Sequence, residues 1–305
     1  MATAQATGQG QSVIRTLAGL AADDWGESDA RAPLVLIHGL TFDRSLWRPS
    51  LEKLQRIDPG RRVLALDLPG HGASEGWPLY DVASIARGVH RAVEEAQLQS
   101  PVVVGHSIAG VIATAYAARY PTRGVINVDQ SLQVTPFAAL VQSLSDKLRG
   151  PDFPAVWQMF AASMHIELLP AAAQELVRSS SQPRQDLVLG YWSEVLDLSG
   201  SELADMVELR LAALRAVGVP YLVVVSEDLE AGYREWLTEM LPQAIVMVWP
   251  GSGHFPHIAH PGRFAACLAA AGSGGDSRKS AFEAGLDVED PGPRLAGQSW
   301  RGRRG

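Results

Sequence analysis

The 305-residue chain has a single cysteine, Cys267, so no internal disulfide can form. Set in "FAACLAAAG", that thiol reads as a small buried apolar group. No apolar run approaches the roughly 18–20 residues of a membrane span. The first residues, "MATAQATGQGQS", carry neither a basic stretch nor an apolar core, so no secretory signal is expected and the expected location is cytoplasmic. Basic residues are outnumbered: 26 Lys and Arg face 33 Asp and Glu, a formal net charge of -7. No basic stripe appears before the last few residues. That balance argues against nucleic acid and against an anionic membrane surface as partners. No internal repeat is visible.

What the chain does have is apolar mass, 47% of its residues, enough for a sizeable core. Short apolar runs at 32–37, 63–66, 102–104, 125–128, 221–225 and 244–249 alternate with longer helical patterns. The runs are apolar on both faces, as strands of a covered parallel sheet should be. Between two of them Asp81 can cap a helix on which Val82, Ile85, Ala86, Val89 and Val93 share a face. This rhythm predicts an α/β fold with a mostly parallel, doubly wound sheet.

One stretch breaks the rhythm. Residues 132–217 show helical patterns and no convincing strand, which reads as an all-helical cap inserted into the core. The expected organisation is a core of residues 12–131 and 218–271 carrying that cap. Trp157, Met159, Phe160 and Met164 could line an apolar pocket there, although for each alone core packing is the simpler account. Residues 1–11 and the Gly/Pro/Ser-rich stretch 272–305 have too few ordering residues to fold and are expected to be flexible.

The segment "PVVVGHSIAGVIATAYAARYP" puts Ser107 on a sharp turn between a strand and a helix. Small residues are needed where backbone crowds at such a turn, and Gly105 and Ala109 flank the serine at two residues on either side. A serine at a helix N-terminus meets free N–H groups and the positive end of the helix dipole, which suits a developing oxyanion. Residues 34–40 read "LVLIHGL", residues 65–75 "ALDLPGHGASE", and residues 248–257 "VWPGSGHFPH".

Together these segments resemble the α/β-hydrolase superfamily, with G-x-S-x-G as its nucleophile elbow; Ala109 stands where glycine is usual. The resemblance covers about residues 13–271. It implies Ser107 as nucleophile, His254 as general base, and the backbone N–H groups of Leu40 and Ile108 as the oxyanion hole. Asp67 and His71 are assigned structural roles. The implied acid follows the strand after the cap, where "LVVVSEDLEAGY" offers Asp228 if the loop is one residue short. Asp129 in "INVDQS" is an alternative, and Glu227, or no acid, a further one.

The chemistry implied is acyl transfer on a small-molecule substrate, an ester of small or medium apolar character, with no cofactor and no metal. His257 and His260 follow His254 at three-residue spacing, but Pro256 and Pro261 interrupt the ladder and no acidic or thiol cluster accompanies it, so packing is the expected role. His38, His90, His106 and His165 are read the same way. The same triad also serves C–C hydrolysis, acyl transfer, lyase and cofactor-free peroxidase chemistry in relatives, and a small-molecule receptor on this fold is a third possibility. A serine at the elbow disfavours the dehalogenases and epoxide hydrolases, which use aspartate there.

Overall fold

The computed structural model describes residues 12–272. The flexible segment expected at 1–11, and all but the first residue of that expected at 272–305, lie outside the described residues.

The expected strands form, with two more at the N-terminal edge. They are β1 (Val13–Leu17), β2 (Leu20–Trp25), β3 (Leu34–Ile37), β4 (Val63–Leu66), β5 (Val102–His106), β6 (Gly124–Val128), β7 (Tyr221–Val225) and β8 (Ala244–Val248). They make one sheet in the order β1-β2-β4-β3-β5-β6-β7-β8. From β4 to β8 every pairing is parallel, while β2 runs antiparallel to both β1 and β4. β3 starts two residues later than expected, because Pro33 has no N–H for a ladder; Leu34 N–H is the first to donate, to Arg62 O at 2.9 Å.

Helices cover both faces. On one, α1 (Arg48–Ile57) packs with α13 (Pro261–Ala270); on the other, α2 (Val82–Glu95) packs with α3 (Ile108–Ala117). Successive strand residues divide between these faces: Leu34, Leu36, Val102 and Val104 join the first layer, Val35, Ile37 and Val103 the second. Burial on both sides explains why these strands are continuous apolar runs. α2 is capped by Asp81, whose side chain accepts from Ser84 N–H at 2.9 Å, and the expected face is buried.

Between β6 and β7 the described chain is helical: α4 (Thr135–Ser143), α5 (Ser145–Arg149), α6 (Phe153–Ala162), α7 (Ala171–Ser180), α8 (Gln185–Tyr191), α9 (Ser193–Asp197) and α10 (Gly200–Val217). α10 opens on a capping box in which Ser199 and Glu202 satisfy each other's backbone N–H groups. After β7 come α11 (Ala231–Met240) and, past β8, α12 (Pro256–Ala259). Among the described residues no helix is long and apolar enough to cross a membrane.

Candidate active site

β5 delivers its last residues into a turn with no room to spare. A Cβ at Gly105 would lie 1.9 Å from the Ala109 carbonyl oxygen, so only glycine lets α3 start there. Ser107 itself sits at φ 55°, ψ -135°, a conformation non-glycine residues rarely adopt. The surroundings hold it: its N–H donates to Val128 O at 2.9 Å, and its carbonyl accepts from Gly110 N–H at 2.6 Å. Ala109 and Ala113 are fully buried against the sheet. Ile108 opens α3, where N–H groups have no partner within the helix.

Beyond β3, Leu40 lies beside this turn and its N–H has no acceptor among the described residues. Thr41, next in the chain, has φ 72° and donates its N–H to His71 Nε2 at 3.0 Å. The other His71 nitrogen, Nδ1, lies 3.0 Å from Pro69 O and is therefore the protonated one. Burial pushes this imidazole down to about 3, so it stays a neutral acceptor that fixes the Leu40–Thr41 backbone. Asp67, fully buried, pairs with the Arg44 guanidinium and accepts from Arg44 and Ala73 N–H at 2.8 Å.

His254 stands on the loop after β8. Gly253 has φ 50°, and a Cβ there would come within 2.6 Å of His165 O. The histidine's backbone is anchored twice, its N–H donating to Met164 O at 2.9 Å and its carbonyl accepting from His106 Nε2 at 2.7 Å. Its Nδ1 donates to Asp129 Oδ2 at 2.7 Å, since a carboxylate can only accept. That leaves Nε2 with the lone pair.

The acid expected first, Asp228, is not the partner of this ring. Its side chain is 76% exposed and pairs with Arg234 at the surface, and Glu227 is exposed as well. Asp129, the alternative, ends β6 with φ 55°. Its Oδ1 accepts from Ser226 N–H at 2.9 Å and Ser226 Oγ at 3.3 Å, so the residue after β7 holds this carboxylate in place. Burial works against ionisation of Asp129, but the bonds from His254 and Ser226 outweigh it and hold the carboxyl below the usual carboxylate range.

Ser107, Asp129, His254, Leu40 and Ile108 line one cavity of about 320 Å³. Its walls are mainly apolar, with Val111, Phe137, Trp157, Phe160, Met164 and Trp192 drawn largely from the cap helices. Of the four pocket residues expected, Met159 is the exception; it is about half exposed and lies outside the lining.

The sequence profile of the alpha/beta hydrolase family matches residues 34–267. The chain belongs to this family. It is 27% identical over 258 residues to the pimeloyl-[acyl-carrier protein] methyl ester esterase of Yersinia pseudotuberculosis, covering 79% of this chain and 92% of that one. It is 29% identical over 220 residues to the bifunctional esterase/perhydrolase DCH of Acinetobacter calcoaceticus, covering 67% of this chain and 76% of the relative. Among solved structures, an esterase from Exiguobacterium antarcticum superimposes with a TM-score of 0.67 at 17% identity, over 85% of this chain and 98% of that one.

The remaining histidines of the hydrolase divide by burial. His257 is fully buried, its ring 4.6 Å from both the Trp47 and the His106 rings, and neither of its nitrogens has a partner among the described residues. His260 lies edge-on to Trp249 instead. The three histidines 254, 257 and 260 thus face different surroundings. Two cavity residues, Glu194 and Arg210, escaped the sequence reading: each sits in an ordinary amphipathic helical pattern, and nothing local marks it as facing a pocket.

Proposed function

We propose that this hydrolase cleaves carboxylic esters of small or medium apolar character through an acyl-enzyme formed on Ser107, with His254 as general base and Asp129 as its acid partner. The Ser107 Oγ attacks the ester carbonyl carbon while its proton passes to His254 Nε2. The oxyanion of the tetrahedral intermediate is held by the N–H groups of Leu40 and Ile108; losing one such donor typically costs on the order of 10²–10³ in kcat. The C–O bond to the alcohol then breaks, and His254 returns the proton to the leaving oxygen. Water, deprotonated by the same nitrogen, attacks the acyl-enzyme and releases the acid. Asp129 keeps Nδ1 protonated and stabilises the imidazolium between steps.

The observation that carries this reading is the 2.7 Å bond from His254 to Asp129 at a cavity that Ser107 also lines. The helical insertion serves as a lid whose aromatic side chains exclude water from the acyl group. The esterases among the relatives favour ester hydrolysis over the other reactions of the family. Replacing Ser107 with alanine should abolish turnover of p-nitrophenyl butyrate and labelling by a fluorophosphonate while the thermal unfolding transition persists. Turnover retained by that folded variant would remove Ser107 from the mechanism.

A further inference from the structure

The cap contributes one charged pair to a mainly apolar wall. Arg210, on α10, and Glu194, on α9, both line the cavity. Their side chains are only 16% and 18% exposed, and their nearest charged atoms, Arg210 Nη2 and Glu194 Oε1, are 4.0 Å apart, too far for a hydrogen bond. The Arg210 guanidinium makes no hydrogen bond to any described residue, although it has five N–H donors. Glu194 has one weak partner, Val82 N–H at 3.4 Å from Oε2. Burial pushes Arg210 down and Glu194 up, as expected for charges withdrawn from water without full compensation. Neither side chain is sealed off, so the guanidinium N–H groups and the carboxylate are open to a ligand in the cavity.

We infer that Arg210 and Glu194 form a subsite for a primary amide on the substrate, the guanidinium donating to the amide oxygen and the carboxylate accepting from the amide NH2. A primary amide presents its oxygen and its syn N–H on one edge, matching a donor and an acceptor side by side, whereas a trans secondary amide points them to opposite sides. The charge balance selects a neutral group over a carboxylate. Asp81, at the N-terminus of α2, also acts electrostatically on both residues, so two anions surround one cation. A third carboxylate would meet net repulsion, and a plain alkyl end would strand the guanidinium. The favoured substrate is therefore an ester joined through a short apolar chain to a primary amide. This rests on the esterase reading of the site.

Three p-nitrophenyl esters of matched length test it: the hexanoate, the adipamate with its free carboxamide, and the adipate monoanion. The amide ester should show a KM about tenfold below that of the hexanoate at similar kcat, about 1.4 kcal/mol of added binding, and the monoanion should be the poorest. In Arg210→Met the amide-to-hexanoate ratio of kcat/KM should fall to near one, and Arg210→Lys should restore part of it. Glu194→Gln should raise kcat/KM for the monoanion. A structural link between cap and core would change all three esters in parallel. Equal kcat/KM for amide and hexanoate in the native enzyme, a preference for the monoanion, or a preference that survives Arg210→Met would overturn the subsite. Calorimetry with adipamide separates the two readings. Binding weakened about tenfold by Arg210→Met, with none of the esters cleaved, would keep the subsite and discard the esterase; equal binding by both proteins would discard the subsite.

Discussion

A carboxylate serves a histidine base only if it is ionised, close and unable to turn away. Asp129 meets all three conditions. One oxygen is taken by Ser226 and the other by His254, and its φ of 55° is a backbone cost that only a fixed role repays. Asp228 meets none of these demands for proximity or fixation, since it faces solvent and pairs with Arg234. Replacing Asp129 with asparagine should therefore lower kcat for a p-nitrophenyl ester on the order of 10³–10⁴, the usual cost of losing the tautomer-fixing acid. Asp228→Asn should leave it unchanged. Steady-state kinetics of the two variants decide it, and the reverse pattern would return the acid to the β7 loop. The contrast also marks what a sequence can carry. Ser107, Ile108, Leu40 and His254 are each set by their immediate neighbours, a glycine two residues away or a strand just ended. Which carboxylate meets the His254 ring depends on which of two adjacent strand ends reaches a residue 125 positions away, and no local pattern carries that.

At the scale of elements, the turns at the ends of β5 and β8 do the positioning, and both depend on the absence of a side chain. Gly105→Ala would drive a methyl into the Ala109 carbonyl at 1.9 Å, backbone against backbone, with no flexible atom to give way. Unfolding in urea should show a loss above the about 1–3 kcal/mol typical of overpacking. Gly251→Ala is the informative contrast. It has a positive φ, 75°, but a Cβ there would touch nothing within 4 Å, so it should cost only the about 1–2 kcal/mol of a left-handed alanine. Equal losses would mean that the turn after β5 relaxes around the added methyl and that crowding does not govern it. Elements buried on two faces are readable as apolar runs, and the cap as their absence. The β1–β2 hairpin is not readable. Val13 and Ile14 are exposed, polar residues interrupt both strands, and the tight turn uses Ala18 and Gly19, both at positive φ, where asparagine or aspartate would have signalled it.

For the molecule as a whole, the buried histidines set the response to acid. Burial pushes His38 down to about 4 and His71 and His257 down to about 3, and it moves His106 well below the ordinary 6.5. All are therefore neutral when folded. His38 and His71 use that neutrality, since their Nε2 atoms accept from the N–H groups of Leu68 and Thr41. Below 6.5 the unfolded chain binds protons that the folded chain refuses. Stability is then complete above pH 6.5 and falls as the pH drops towards 4, by about 1.4 kcal/mol per unit for each such histidine. Asp129 acts in a different window: its folded value is lowered, so its contribution persists until the pH falls below the ordinary carboxylate value of 3.8. The denaturant midpoint followed against pH should therefore begin to decline near 6.5. A midpoint that held steady until about pH 4 would mean these rings are charged inside the fold. His257→Leu isolates one of them. It removes a titrating group that makes no hydrogen bond among the described residues, so the slope between 6.5 and 4 should become shallower whatever the variant's absolute stability.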